Sequence, residues 1–332
     1  MKYWRPALAA AIATALIVLL VLVGDLKLSA LFERLTGLGA WWILIIVASF
    51  IQIAISAEKW RIVLGALANN DDANIPRRFF VGTSAIAALS SQFLTVYAAS
   101  IFVRSVAGRV YGLRIATSAG SSGFEQLFDV AVLFVFFVPT VVTLLLLEGI
   151  LFWVGLAILS LAVAVIGLAF VTKWVRSRDG AVSGHKSGRF SLVASKLKLS
   201  MGRDKQRAVA EKSQVLFSLS VIRFVAMFFR AAVVAWAAGY IFDLKSLILA
   251  FTAAQASQLA SLTPGNLGIF EWSWAGILAY LGNPFDAAIE FAILLRICSL
   301  VSIVLVTSIV GLLYLREFSA LWQKQQNQED LY

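Results

Sequence analysis

Histidine and cysteine are nearly missing from this chain, and charge of either sign is scarce. One histidine, His185, and one cysteine, Cys298, occur in 332 residues. A single cysteine excludes an internal disulfide framework and any CxxC metal or redox motif. Cys298 lies in an apolar stretch and reads as a packed thiol, while His185 sits in a basic loop with Gly and Ser and reads as solvated. The chain thus offers no histidine-based general base or metal cluster, which removes much hydrolytic chemistry, and no metal or cofactor is expected. A GxxxxGK[ST] phosphate loop is also missing, so ATP drive would require a partner.

Charged residues make up only 14% of the chain and hydrophobic ones 61%, too little polar surface to cover a soluble domain of this size. What is present instead is a series of apolar runs long enough to cross ~30 Å of hydrocarbon. They fall at about 6–24, 40–57, 79–103, 126–147, 150–172, 214–242, 246–282 and 286–314. Several of the 10 tryptophans stand at run ends (Trp4, Trp41, Trp42, Trp60, Trp174), where an amphipathic ring prefers the headgroup level. The net charge of +10 would suggest nucleic acid on a soluble protein. Here the basic residues cluster in particular loops, as the positive-inside bias requires, and no nucleic acid is expected. The first run, Ala7 to Gly24, is longer than a signal-peptide core and lacks a clear small-x-small site after it. It reads as an anchor with Lys2 and Arg5 in the cytoplasm.

The polar break at 173–213 holds 11 Lys/Arg against three acids, which makes it the cytoplasmic reference point. Counting crossings outward from it, with the N-terminus inside, leaves two segments that must begin and end on one side. Segment 79–103 does so inside and segment 246–282 outside. A pair of full helices needs ~40 residues, so 79–103 is too short to cross twice. The chain is therefore expected to be an all-α polytopic membrane protein. About six full spans and two re-entrant helical hairpins of opposite orientation make an inverted-repeat-like arrangement. A single transmembrane domain covers 1–315, followed by a polar tail at 316–332, with both termini cytoplasmic. The two halves share a faint echo: Leu94-Thr95 then Ser100-Ile101-Phe102, and Leu262-Thr263 then Gly268-Ile269-Phe270, at the same spacing.

The sharpest local feature is Thr263-Pro264-Gly265-Asn266-Leu267-Gly268-Ile269-Phe270-Glu271. Proline removes a donor and the glycines open conformations closed to other residues, so one helix is expected to stop near Leu262 and another to begin around Asn266 or Leu267. The free amides and positive dipole end of that second helix suit a phosphate; a simple Pro-Gly kink between two helices is the plainer alternative. Charged residues within apolar segments are costly and mark either pathways or buried pairs. Arg223 and Arg230, seven apart, share a helix face, and Arg grips phosphate bidentately. Arg296 and Glu290 lie in the last run. Arg223, Arg230 and Glu271 are open to two uses, contact with a ligand or Arg–Glu pairing that holds the bundle. Arg61 and Arg104 belong to a basic ring at the cytoplasmic mouth, with Arg77, Arg78, Arg109 and Arg114. Glu125 and Asp129, four apart at the start of a span, are placed near the same interface in a mainly structural role.

These motifs resemble the flippase-like membrane region of the lysylphosphatidylglycerol synthase family over roughly residues 8–315. Glu58-Lys59-Trp60-Arg61, Phe124-Glu125-Gln126-Leu127-Phe128-Asp129 and the Pro-Gly-x-x-Gly-x-x-Glu motif from Pro264 to Glu271 carry the resemblance. Leu94 to Arg104 keeps the arginine of the family's first hairpin but lacks its proline, glycine and acid. Only about 17 polar residues follow Leu315, so the resemblance implies a stand-alone member without an aminoacyl-transferase domain, not an enzyme. It implies movement of a phospholipid, a polyprenyl-linked sugar or a hopanoid-type amphiphile between leaflets of a bacterial inner membrane. Two other roles stay open. One is a non-catalytic partner of envelope-biosynthesis enzymes that docks through 173–213. The other is a lipid-modifying enzyme using Glu125, Asp129 or Glu271 as base.

Overall fold

The structure is a computed structural model. It describes residues 28–67, 75–146, 211–259 and 263–329 continuously, with isolated positions between 14 and 22, between 151 and 162, and at 208–209. The basic segment 173–213, apart from its last few residues, and the runs 6–24 and 150–172, apart from scattered positions, lie outside the described residues, as do Trp4 and Trp174. Every described element is helical. In chain order they are α1 (Leu28–Gly37), α2 (Trp41–Leu67), α3 (Arg77–Ser90), α4 (Val96–Val110), α5 (Ile115–Leu146), α6 (Ser213–Ala237), α7 (Leu244–Ser257), α8 (Ile269–Tyr280) and α9 (Phe285–Glu329). In hydrocarbon a helix satisfies its backbone polar groups within one segment, which is why a chain of this composition adopts little else.

Among the described residues, four helices are long and apolar enough to cross a membrane: Trp41–Leu67, Ile115–Val142, Ser213–Ala237 and Phe285–Leu313. Their length and composition are those of membrane-spanning helices. Between them lie two helix–break–helix segments. The first joins α3 and α4 through 91–95; its helices have 14 and 15 residues. At 1.5 Å per residue each is roughly 21–23 Å long, short of a full crossing. The second joins α7 and α8, of 14 and 12 residues, through 258–268.

Several element ends differ from the sequence reading; around Arg104 and Glu125 the reason is that a charge does not end a helix if tertiary contacts neutralise it. α4 runs past Arg104 to Val110, and α5 begins at Ile115, ten residues before Glu125. In the second break α7 stops earlier than Leu262, at Ser257, and α8 starts later than Leu267, at Ile269. Gly265, Asn266 and Gly268 all have positive φ (58°, 57° and 82°), so no right-handed helix passes through them. Residues 316–329 continue α9 without a break.

Local signals place the short helices. Thr95 caps α4, its hydroxyl accepting from the Ala98 amide at 3.3 Å, and Asp243 caps α7 through the Ser246 amide at 3.0 Å. The echo between the halves does not survive: α4 starts directly after Thr95, whereas Thr263 turns its hydroxyl to the Leu267 carbonyl at 2.8 Å and a 3₁₀ turn follows. Four apolar clusters hold the described helices, and two of them matter most for the site. One gathers Phe251, Trp274, Phe291 and Tyr240 from α6–α9 and the residues between them, with Trp274 edge-on to Phe291 at 5.2 Å. The other packs Trp60 of α2 against Phe79 and Phe80 of α3, Trp60 and Phe80 lying 4.9 Å apart. Trp60 is fully buried and donates its indole N–H to Ser121 at 2.9 Å, so it is no headgroup-level ring. Trp41 remains 45% exposed.

Candidate functional site: a charged cavity between the two broken segments

A cavity of about 200 Å³ is lined by residues of every helix from α2 to α9 and of both breaks. The breaks meet at its wall. A side chain at Gly265 would collide with the Gln92 carbonyl, so the left-handed glycine is what lets one broken segment touch the other.

Around one part of the cavity runs an ion network. Arg104 is 1% exposed and pairs with Glu125. Its second terminal nitrogen donates to Ser56 Oγ at 2.8 Å and Ser84 Oγ at 3.3 Å, and the guanidinium lies 5.0 Å from the Trp60 ring centre. One residue thereby ties α2, α3, α4 and α5 together. Lys59, with no exposed surface, stands 3.4 Å from Glu125 Oε1 and pairs with Asp129. The other oxygen of Asp129 accepts from Arg223. Glu125, Asp129 and Arg104 thus stand in the cavity wall, carried by α4 and α5 within their helices. Arg61 stays outside the wall; it grips Glu58 three residues back, at 2.5 and 2.8 Å, with both side chains about a third exposed (34% and 37%).

The α6–α9 side is built differently. Arg230 reaches the cavity two turns along α6 from Arg223, and its hydrogen bond goes to Ser49 Oγ at 3.2 Å. That hydroxyl is shared with Ser302 at 2.8 Å. Arg296 of α9 donates to the Gly265 carbonyl at 2.5 Å, with its Nε 3.5 Å from Glu271 Oε1. Glu271 Oε2 accepts from the Gly268 amide at 2.7 Å.

That last bond corrects the sequence reading of the glycine motif. The start of α8 is not an open cradle for phosphate, because the carboxylate three residues on already occupies it. The Asn266 and Leu267 amides are also used, by the Thr263 and Pro264 carbonyls at 3.0 and 3.1 Å. Pro264 shapes the 3₁₀ turn, and Asn266 is 5% exposed yet outside the cavity wall. Gly268 lies against Leu16, whose carbonyl takes the Trp272 indole N–H at 3.0 Å. Glu290 also departs from expectation. It bonds Arg34 of α1 at 2.9 Å, and Arg34 stacks 4.4 Å over Tyr240, an external clamp and not part of the wall.

Sequence reasoning missed Lys59 as an interior charge, along with Gln52, Ser49 and Ser56. Their spacing held the signal: 49, 52, 56 and 59 advance by three or four, a polar stripe on one face of an apolar helix.

With this geometry in hand, the chain matches the family described as lysylphosphatidylglycerol synthase TM region over residues 7–307 and belongs to it. Neither curated proteins nor solved structures give a match.

Proposed function

We propose that this protein passes the polar head of an amphiphilic lipid from one membrane leaflet to the other while the acyl or prenyl tails stay in hydrocarbon. The observation that carries the reading is the charged cavity at the meeting point of two broken segments, neither of whose helices is long enough to cross. Moving a headgroup through hydrocarbon costs several kcal/mol for each unpaired polar group. A cavity lined by arginines, serines and glutamines replaces the lost water. Segments α3–α4 and α7–α8 act as re-entrant hairpins from opposite faces, which brings their tips to a common depth, as the contact of Gly265 with Gln92 suggests. Apolar side chains at the first tip, Phe93 and Leu94, are 65% and 47% exposed, a surface along which a tail can lie. The protein works in a bacterial inner membrane, with both termini cytoplasmic, as a carrier and not an enzyme.

Reconstitution tests this. In liposomes with labelled lipid, the protein exposes inner-leaflet label to an impermeant quencher. No gain over protein-free vesicles, across anionic and zwitterionic lipids, would remove the proposal. Labelling of single cysteines at 77 and 110 from one side of the membrane, and at 244 and 280 from the other, tests the hairpins.

A further inference from the structure

Among the described residues, each carboxylate at or beside the cavity has a cation of the protein within ion-pair distance, although Glu271 Oε1 accepts no hydrogen bond. Glu125 is held by Arg104, with Lys59 and Ser56 at 3.4 and 3.2 Å. Asp129 lies between Lys59 and Arg223, and Glu271 between the Gly268 amide and Arg296. Arg230 has no carboxylate partner among the described residues. It holds one hydroxyl at 3.2 Å, and its Nε is buried without an acceptor.

The surplus is of donors as well as charge. Gln52, Gln126 and Arg223 also line the cavity, and Gln52 Nε2, Gln126 Nε2 and Arg223 Nε lie buried beneath its surface without an acceptor. A buried donor without a partner is costly, and the ligand that relieves several at once is one whose oxygens only accept. A phosphate does this and forms two parallel bonds with a guanidinium. An ammonium does the opposite: it brings further donors and finds no carboxylate without a cation beside it among the described residues of the cavity.

We infer that the cavity selects a headgroup of net negative charge, a phosphate without a balancing ammonium, and that Arg230 is the residue that sets this preference. The inference rests on the lipid-carrier reading and narrows it: a lysylated or otherwise cationic headgroup is a poor ligand for this chain, whatever other members of the family carry.

The test is binding, measured apart from transport. Purified protein in detergent is titrated with phosphatidylglycerol, phosphatidylethanolamine and lysyl-phosphatidylglycerol, and bound lipid is read by native mass spectrometry. Phosphatidylglycerol is expected to bind at least about tenfold more tightly than the lysylated lipid. Arg230→Gln abolishes that ratio and Arg230→Lys keeps most of it. Equal or tighter binding of the lysylated lipid overturns the inference, as does an unchanged ratio in Arg230→Gln. If Arg230→Gln does not fold, the wild-type ratio and Arg230→Lys decide. Glycerol phosphate, which has no tails, distinguishes the sources: weak competition supports a lipid headgroup, while competition as strong as that of the lipid overturns the lipid assignment. Loss of transfer in liposomes with the preference intact removes the carrier proposal alone; transfer without the preference removes only this one.

Discussion

Arg104 and Arg230 are both arginines of the same cavity, and the structure gives them very unequal weight in stability. Arg104 is a strut. Replacing it with methionine leaves Glu125 buried, 1% exposed, with Lys59 as its remaining cation at 3.4 Å, and takes the donor from Ser56, Ser84 and Ser122. Removing one side of a buried ion pair costs about 3–5 kcal/mol. Arg104→Met is expected in that range, and Glu125→Gln somewhat below it. The double variant should cost less than the sum by about 2 kcal/mol, because the second change removes the charge that the first left stranded. Arg230→Gln, by contrast, gives up one bond to Ser49 and a half-buried cation with no carboxylate partner among the described residues, and should stay within about 1 kcal/mol of wild type. Reversible unfolding in mixed micelles, followed by helical circular dichroism, measures all four. An Arg104→Met cost below about 1 kcal/mol, or strict additivity in the cycle, would refute the assignment of Arg104 as the tie between α2, α3, α4 and α5.

The other predictions concern the breaks and the buried ring. Gly265→Ala meets the Gln92 carbonyl and adds a strained φ worth about 1–2 kcal/mol, so it should separate the two tips and lower both thermal stability and lipid transfer. Glu271→Ala uncaps α8 and should cost about 0.5–2 kcal/mol, whereas Glu271→Gln, which still offers the Gly268 amide an oxygen, should retain more stability; equal losses in thermal melts would show that capping is not its role. Trp60→Phe removes the indole bond to Ser121 and part of a filled core beside Arg104, and should lower stability by about 1–3 kcal/mol in the same unfolding assay.

Much of the architecture could be read without coordinates. The apolar runs announced spanning helices, and Pro264, Gly265 and Gly268 marked a break that the positive φ angles of Gly265, Asn266 and Gly268 now account for. The shortness of 79–103 flagged the other break, although the true helix continues to Val110. The site was legible only as a roster. Arg223, Arg230 and Arg296 were singled out and do line one cavity, yet Glu290 was grouped with them and instead clamps Arg34. Glu125 and Asp129 were set at a mouth because charge usually sits at a span's end; their partners came from α2, α4 and α6, which local sequence cannot reveal.

By itself, the sequence determined the solvent and the backbone: a chain this apolar must live in hydrocarbon, and there it must close its own hydrogen bonds in helices except where glycine and proline forbid it. Spacing along a helix also determined which residues share a face, since each residue turns by a constant angle. The tertiary structure decided what each face meets. A buried charge is stabilised only by a counter-charge within a few ångströms, and that neighbour comes from a helix far away in the chain, set by packing. For that reason Glu271 became a cap, Arg104 a strut and Arg230 a cation without a carboxylate among the described residues.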